Sequence, residues 1–486
     1  MSAPESQGTL SRRLLAWYSL GALPGGVALG AGSFLVFYYN QVLGVPAATV
    51  GLAILAASIF DAVTDPIVGA ISDRTRSRMG RRHPYMLASA VPLGIVFTLI
   101  WVPPDGLGER GLVAWLVPLL LMQRLLGTFY AVPYLAFGAE LTHDYHERTA
   151  LTTVRAYLSS IGRSLTGAAL LLYFLRPTEQ YPDGQLNPDA YPPFAILFGL
   201  LTAITLFASA WRTRSDGQRL TTVRGPSLSG SILWAPFRDV RDALRYRSFR
   251  ALTFGVLLQY TAFGVADALG LYVTTFFWGV STQILFVWGI GMFSGMYVGF
   301  DFWRRVGTRL EKRSIYLIGT IGYVASFTAP YVLKVLGWWP SPESWIYLPL
   351  YIATTGFVAH FFSAGPTIMT GSMLGDITDL DELEIGRRRE GVIFGAESLA
   401  YKLFVGIGPV IAGLLIDFAG ITPDMQPGEA TQSIVVALGL GQGATMAVLL
   451  AISLTFLRKY DLTRERHRTI RRVLETRRAD PGVLPN

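Results

Sequence analysis

The sequence lacks cysteine altogether and has little histidine and little charge. Its 486 residues include no Cys and only five His. Disulfide bonds, thiolate catalysis and cysteine-ligated metal sites are therefore excluded, and the scattered histidines form no ligand pattern. Charged residues make up only 15% of the chain, 51% of residues are apolar, and the mean hydropathy is +0.41. This composition excludes a soluble protein of this length and predicts an all-α polytopic membrane protein.

Long apolar segments recur along the chain, each able to cross a bilayer as a helix, several of them with tilt. The polar start MSAPESQGTLSRR runs directly into the first segment, so we expect no cleaved signal peptide. Twelve spans are predicted, at 14–40, 47–72, 84–103, 111–139, 149–175, 191–211, 249–278, 283–303, 314–338, 344–371, 391–420 and 431–457.

The distribution of basic residues predicts the orientation of these spans. A net charge of +8 would suggest nucleic acid in a soluble protein, but nearly all 41 Lys and Arg lie at the termini and in alternate loops. This bias places both termini in the cytoplasm, and the partner it indicates is the lipid bilayer, not nucleic acid. The exceptions are Arg110, Arg176 and Lys334 on the opposite side and Arg124, Arg155, Arg163 and Lys402 within spans.

The spans fall into two sets of six. A basic cytoplasmic linker at 212–248 separates an N-terminal half, 1–211, from a C-terminal half, 249–457, and a basic tail follows at 458–486. Each half carries a related basic turn between its second and third spans, GAISDRTRSRMGRR in one and GFDFWRRVGTRLEKR in the other. Two related six-span halves are typical of a duplicated transporter with its site near the membrane midplane between them.

Two carboxylates lie inside the second span. Asp61 and Asp65 are four residues apart, so on a helix they lie about 40° apart on one face, one turn above the other. Counted from an apolar start near Val50, Asp61 falls about 16 Å along the helix, near the middle of a bilayer about 30 Å thick. A carboxylate there costs on the order of 2.5–3.5 kcal/mol, and two stacked ones also repel each other. A bound cation or a proton would relieve both costs.

Three stretches resemble the major facilitator superfamily, and within it the glycoside-pentoside-hexuronide:cation symporters typified by melibiose permease. The stretches are DAVTDPIVGAISDRTRSRMGRRHPY at 61–85, VPYLAFGAELTHDYHERTALTTVRAY at 132–157 and MLGDITDLDELEIGRRREGVIFGAESLAYK at 373–402. The resemblance implies a 12-helix major facilitator fold of two six-helix halves. The chain also resembles a sodium-dependent lysophospholipid transporter, which has the same pair of aspartates.

The resemblance places a coupling-cation site at Asp61, Asp65, Thr64 and Thr128. Two carboxylates and one or two hydroxyls supply the hard oxygens that Na⁺ prefers, although H⁺ would also neutralise the acids. The alternative is that both aspartates pair with buried arginines such as Arg124 or Arg163. No cofactor beyond this coupling ion is expected.

The family's substrate positions are only partly kept. Its arginine in span 5 falls on Arg155 and its lysine in span 11 on Lys402. Its sugar-binding acids fall on Gly26 and Ala131, and its tryptophan on Leu135, so a galactoside is disfavoured. The cationic pair suits an anionic group such as a uronate carboxylate or a lysolipid phosphate. The alternative for Arg155 is that its side chain only snorkels to the cytoplasmic end of span 5. The glycines around Gly26 favour close helix packing.

Further charged residues leave alternatives open. Asp267 and Glu397 are intramembrane acids, either substrate contacts or partners of Arg124 and Arg163. The basic tail has apolar residues at helical spacing, which indicates a helix along anionic headgroups, or else a solvated tail. Cytoplasmic ion pairs would close a gate or only set topology; the gate residues are Asp73, Arg74, Arg81, Asp376, Asp379 and Arg388.

The combined prediction is a cation-coupled symporter of a sugar, glycoside or uronide that works by alternating access. A transporter of lysophospholipid or another amphipathic anion, and a membrane sensor that binds without transport, are the alternatives. An enzyme is not expected, since no ATP-binding loop, zinc pattern or nucleophile–base arrangement is present. We expect a monomer with several passes through a bacterial inner membrane and a small-molecule substrate.

Overall fold

A computed structural model describes residues 10–142, 144–219, 238, 240–386, 388–423 and 425–479 of the chain. Within this described part the regular structure is helical and contains no β-strand. The chain divides into two compact units, unit 1 at Met1–Leu233 and unit 2 at Trp234–Asn486.

Unit 1 contains seven described α-helices. Helix α1 follows an N-cap at Ser11, whose hydroxyl accepts from the backbone N–H of Leu14 at 3.2 Å. Pro24, near the start of α2, suits that position because its missing N–H would have no intrahelical partner. The helices are α1 (Arg12–Leu20), α2 (Leu23–Phe37), α3 (Ala47–Arg74), α4 (His83–Trp101), α5 (Glu109–Leu141), α6 (Tyr145–Ala169) and α7 (Tyr191–Arg219).

Unit 2 contains nine described α-helices. Two of them end at a glycine with positive φ, Gly386 at 78° and Gly420 at 83°, a conformation that glycine adopts without steric cost. The helices are α8 (Arg247–Tyr272), α9 (Thr282–Val306), α10 (Lys312–Val335), α11 (Tyr347–Tyr351), α12 (Ala359–Ile385), α13 (Glu390–Val405), α14 (Ile407–Ala419), α15 (Gln432–Leu457) and α16 (Arg464–Ala479).

Ten helical stretches of the described chain are long and apolar enough to cross a membrane, and they coincide with ten of the predicted spans. Predicted spans 5 and 10 also coincide with helical segments, but these carry more polar residues. Span 5 is α6 with a π-helical turn at Leu170–Phe174. Span 10 is α11, a π-helical turn at Ile352–Val358, and α12.

Some helix boundaries differ from the predicted ones. Predicted span 11 is not one helix, because α13 and α14 are separated at Gly406. Predicted span 1 is likewise divided into α1 and α2. Helix α7 continues past 211 into the range assigned to the linker, and α12 continues past 371, because polar residues extend a helix beyond its apolar core at no cost in water.

The first span of each unit ends in a π-helical turn that a side-chain hydrogen bond ties to a neighbouring helix. In unit 1 this turn is Tyr38–Val42, where the hydroxyl of Tyr39 donates to the carbonyl of Ile100 at 2.6 Å. In unit 2 it is Val273–Trp278, where the ammonium of Lys334 donates to the carbonyl of Phe277 at 2.5 Å. Both contacts satisfy carbonyl groups that a helix end leaves without intrahelical partners.

Helices α2 and α6 approach each other at glycines. A Cβ atom on Gly26 would overlap the backbone carbonyl of Ser159, and one on Gly162 would overlap the carbonyl of Leu23. The two backbones therefore touch without side chains between them, as is common where membrane helices pack at small residues.

We expect Gly26→Ala to destabilise unit 1 and Gly25→Ala to leave it unchanged or slightly stabilised. The added methyl at position 26 meets the backbone of α6, a conflict that costs about 1–3 kcal/mol. A Cβ on Gly25 meets no atom within 4 Å, and alanine is the better helix former by about 1 kcal/mol. Thermal unfolding of the two purified variants in detergent tests this, and equal midpoints would contradict the packing argument.

Candidate functional site

Asp61, Asp65 and Thr128 lie together in unit 1. The two aspartates belong to α3 and the threonine to α5. The hydroxyl of Thr128 is 2.9 Å from Oδ1 of Asp61 and 3.0 Å from Oδ1 of Asp65, and Thr128 is buried. One hydroxyl proton can be donated to only one acceptor at a time. The arrangement therefore gathers two carboxylate oxygens around a single donor, with Asp61 and Asp65 half-buried.

The local sequence of α3 provides further oxygen atoms near this site. Pro66 follows Asp65 inside the helix, and a proline has no N–H to donate to the carbonyl four residues earlier, that of Ala62. Thr64 donates its hydroxyl proton to the carbonyl of Asp61 at 3.2 Å. The proton of Thr64 is thus directed along the helix, while its oxygen keeps lone pairs that can act as ligands.

The oxygen set at Asp61, Asp65 and Thr128 has the ligand types that suit a hard cation. Within the described residues no group of three or more His, Asp or Glu side chains could hold a metal ion. The predicted site has two carboxylates supplemented by hydroxyl oxygens, which are the ligand types that hard cations prefer.

The predicted arginine partners of the acid pair differ in their surroundings. Arg124 is half-buried on α5, and its Nε atom is buried without a hydrogen-bond partner. Arg163, which we predicted to be buried, is exposed on α6. The sequence could not show this because α6 presents its glycines, rather than Arg163, to α2.

Arg155 borders a tyrosine cluster in unit 1. Its guanidinium lies within hydrogen-bonding reach of the hydroxyl of Tyr18. The ring of Tyr18 stacks on Tyr134 with centroids 4.5 Å apart, and Tyr134 stacks on Tyr130 at 5.6 Å. Our sequence analysis missed this cluster, although Tyr130 and Tyr134 have the four-residue spacing that places two side chains on one helix face.

The predicted substrate positions without charge lie in two different settings. Gly26 is buried at the contact of α2 with α6, so it has no room for a side chain of the kind the resemblance places there. Ala131 and Leu135 are exposed on α5, one turn apart. Neither supplies a carboxylate or an aromatic ring.

The predicted intramembrane charges of unit 2 lie on α8 and α13. Lys402 is half-buried in the last turn of α13, four residues before the break at Gly406. A cation at that end of a helix is favoured by the helix dipole. Glu397 is half-buried five residues earlier and acts electrostatically on Tyr260 and Tyr316. Asp267 is exposed on α8.

The basic turn of unit 1 is closed by ion pairs. Asp73 pairs with Arg82 at 2.5 Å, so its described partner is not the neighbouring Arg74, which ends α3 half-buried. Arg81 and Arg82 both contact Glu140 at the end of α5, at 2.8 and 2.9 Å. These pairs tie the turn to α5 within unit 1.

The acidic end of α12 forms the corresponding network in unit 2. Asp376 pairs with Lys312 at 2.7 Å, and Asp379 pairs with Arg388 at 2.9 Å. His467 of α16 lies 3.3 Å from Asp376 and 3.0 Å from Asp379. The predicted gate residues therefore form pairs that fasten elements inside one unit.

A buried acid anchors the same network. Asp381 is fully buried, accepts two hydrogen bonds from Arg389 at 2.7 and 3.0 Å, and accepts one from the hydroxyl of Tyr246 at 2.7 Å. Burial by itself raises the pKa of Asp381, but the hydrogen bonds from Arg389 and Tyr246 outweigh it and leave the pKa below its ordinary value. This acid therefore stabilises the folded state at neutral pH, and its contribution is lost as the pH falls through the folded-state pKa.

The basic tail forms helix α16, which packs on unit 2. Ile470 and Leu474 are buried among residues of the unit 2 core. We expected the apolar residues of the tail to face lipid headgroups or water. This expectation is wrong for these two residues, since α12 offers a protein surface that the sequence does not reveal.

Arg464 fixes the start of α16. Its guanidinium donates to the carbonyls of Gly307 at 2.9 Å, Thr308 at 3.0 Å and Leu310 at 2.8 Å, just beyond the end of α9. Its backbone N–H donates to Glu311 at 3.0 Å. The segment between α15 and α16 is held at Asp461, which accepts hydrogen bonds from the side chains of Ser248 and Arg466.

The fold defines the class of the molecule, a helical membrane protein built like solved transporters. The E. coli xylose transporter XylE in a partially occluded inward-open conformation is similar in fold, with TM-score 0.58 at 12% identity over 93% of this chain and 98% of that one. A bacterial homologue of the human lysosomal transporter Spinster gives TM-score 0.57 at 14% identity, over 92% and 96%.

The chain belongs to the MFS/sugar transport protein family, which matches residues 17–464. It is 26% identical to the putative glycoside/cation symporter YagG of Escherichia coli over 96% of this chain and 95% of that protein. It is 25% identical to the E. coli glucuronide carrier protein homolog over 89% of each chain, and 23% identical to the isoprimeverose transporter of Lactiplantibacillus pentosus over 80% and 76%.

These relatives confirm the predicted resemblance to the glycoside-pentoside-hexuronide:cation symporters and the major facilitator fold. The chain is a secondary transporter and a multi-pass integral protein of the inner membrane, where bacterial relatives such as the inner membrane symporter YicJ of E. coli belong.

Replacing Arg464 should loosen α16 selectively. Arg464→Ala removes three charge-assisted hydrogen bonds, and we expect the backbone amides of 464–479 to exchange with deuterium about 10- to 100-fold faster. Arg468→Ala is the matched control, because Arg468 is exposed on the same helix. Hydrogen exchange read by mass spectrometry on the full-length protein measures both. Equal exchange in the two variants would show that Arg464 does not hold the helix.

Proposed function

We propose that the protein couples the entry of Na⁺ to the uptake of a sugar, a glycoside or a uronide by alternating access. The observation that carries this proposal is the contact of the Thr128 hydroxyl with both Asp61 and Asp65. Two acids and a hydroxyl that converge at membrane depth form a coordination set for a small cation.

The coupling follows from charge. Without a cation, the two carboxylates repel each other across one turn of α3, and this repulsion disfavours any conformation that shields both of them from water. Na⁺ between them replaces repulsion by attraction, at a site whose low dielectric strengthens both terms. An ion shifts a conformational equilibrium only by its difference in affinity for the two states. Symport therefore requires that Na⁺ and the substrate stabilise the same conformation.

The cationic residues support a substrate that carries, or tolerates, a carboxylate. Arg155 presents a guanidinium beside a stack of tyrosine rings, a combination suited to a sugar ring with an acidic substituent. Lys402 offers a point charge at the end of α13. Two relatives are named for their cargo, a glucuronide in one case and isoprimeverose in the other.

Variants of the acid pair test the cation site. We expect Asp61→Asn and Asp65→Asn to abolish Na⁺-driven uptake in proteoliposomes, because each removes one of the two negative charges. Thr128→Val keeps the shape but removes the oxygen, and should raise the half-saturating Na⁺ concentration about tenfold. Thr128→Ser keeps the hydroxyl and is the matched control.

Uptake is measured with an imposed Na⁺ gradient and, separately, with a pH gradient. If only the pH gradient drives wild-type uptake and the aspartate variants lose that response, the coupling ion is H⁺ at the same site. Unchanged dependence on both ions in both aspartate variants would refute the proposed site.

A matched pair of sugars tests the cationic residues. Methyl β-D-xyloside and methyl β-D-glucuronide differ only by the carboxylate of the glucuronide. We expect Arg155→Gln and Lys402→Gln to raise the half-saturating concentration of the glucuronide about tenfold and that of the xyloside much less, because each variant loses a charge-assisted hydrogen bond.

Arg176→Gln serves as the control for that experiment, since Arg176 is exposed near the end of span 5 and donates to the carbonyl of Leu172. Equal effects on the two sugars would assign Arg155 and Lys402 to structure rather than to recognition of the carboxylate. A lysophospholipid is added to the same assay as a further ligand. If the lysophospholipid competes for the substrate site and neither sugar does, the substrate is an amphipathic anion rather than a sugar.

A further inference from the structure

Helices α8 and α13 of unit 2 bring polar and aromatic side chains together inside their membrane spans. The rings of Tyr260 on α8 and Tyr401 on α13 meet edge to face, with centroids 4.6 Å apart and planes at 78°. Glu397 precedes Tyr401 by four residues, so the two share one face of α13. The contact of Tyr260 with Tyr401 therefore brings the face that carries Glu397 against α8.

The side chain of Glu397 lies in the neighbourhood of two tyrosines of unit 2. It lies close enough to the hydroxyls of Tyr260 and Tyr316 to act on both electrostatically. Tyr316 in turn donates to the side-chain carbonyl of the buried Gln259. The tyrosine and glutamine side chains thus hold one another in place next to the acid, which is the support that a binding carboxylate needs in order to keep its geometry.

This face is also accessible. Glu397 and Tyr260 are half-buried, Tyr401 is 37% exposed, and Ser398 and Asp267 are exposed. Acids exposed to hydrocarbon are costly, so membrane helices turn such faces toward protein or a water-filled path. A carboxylate, hydroxyls and an aromatic ring on one accessible face have the composition of a site for a polyhydroxylated ring.

We propose that Glu397 and Tyr401 form a sugar-ring subsite in unit 2. Glu397 accepts hydrogen bonds from two neighbouring hydroxyls of the sugar, Tyr401 packs its ring against the sugar's C–H face, and Tyr316 and Gln259 are positioning residues. This inference rests on the proposed transport of a sugar and adds the residues that recognise its hydroxyl groups. It also accounts for unit 1, where Gly26, Ala131 and Leu135 offer neither a carboxylate nor an aromatic ring.

The subsite makes a prediction that differs from that for the cationic residues. Methyl β-D-xyloside and methyl β-D-glucuronide share their ring hydroxyls, so Glu397→Gln should raise the half-saturating concentration of both sugars about tenfold or more. Tyr401→Ala should weaken both, while Tyr401→Phe, which keeps the ring, should resemble the wild type. Uptake by the full-length protein in proteoliposomes measures these effects at saturating Na⁺.

Analogues of the xyloside that lack one ring hydroxyl localise the contact. For an analogue that lacks a hydroxyl bound by Glu397, the Glu397→Gln variant should bring little further loss, because the two changes remove the same interaction. Glu343→Gln is the matched control, an exposed acid of unit 2 outside the predicted spans. Stabilisation of each variant by Na⁺ in a thermal unfolding assay establishes that it is folded.

The outcomes separate this inference from the proposed function. Unchanged half-saturation of both sugars in Glu397→Gln and Tyr401→Ala overturns the subsite while leaving the transport proposal intact. A shift in the half-saturating Na⁺ concentration without a shift for sugar also overturns it, because Glu397 would then serve the cation. If the wild type carries neither sugar, the subsite fails together with the substrate class, whereas the aspartate variants still report separately on coupling.

Discussion

The structure depends on the electrostatic cost of two carboxylates stacked one turn apart in a membrane helix. Asp61 and Asp65 are tolerated only where other groups offset their charge, and α5 supplies Thr128 directly against both. The surrounding sequence follows the same requirement. Pro66 interrupts the hydrogen bonding of α3 beside the pair, and the basic turn beyond α3 is anchored to Glu140, which fixes α3 against α5.

The two units meet the problem of intramembrane charge in different ways. Unit 1 concentrates its acids on one helix and its described aromatic stack on others, with Arg155 at the edge of the tyrosines. Unit 2 places Glu397 on the helix face that meets Tyr260 through Tyr401, and places Lys402 near a helix break. The two units therefore carry unlike chemistry in their membrane spans.

Much of the fold could be predicted from the sequence because bilayer thickness imposes long apolar runs, and all twelve predicted spans coincide with helices. The contact of Asp61, Asp65 and Thr128 was predicted from the family resemblance and from the helical spacing of the two acids. The break at Gly406 could not be predicted, since an apolar run has the same composition whether the helix continues through it or stops within it. The docking of Ile470 and Leu474 was also missed, because amphipathic spacing shows that a helix has an apolar face but not what covers it.

The glycine contact between α2 and α6 has a mechanical consequence. Where two backbones touch directly, no side-chain rotamer can absorb relative motion, so a tilt of α2 is passed to α6 almost undiminished. Arg155 lies one turn from Ser159, whose carbonyl faces Gly26. A change in the tilt of α2 would therefore move the backbone of α6 with it, and so displace the point from which the Arg155 side chain extends.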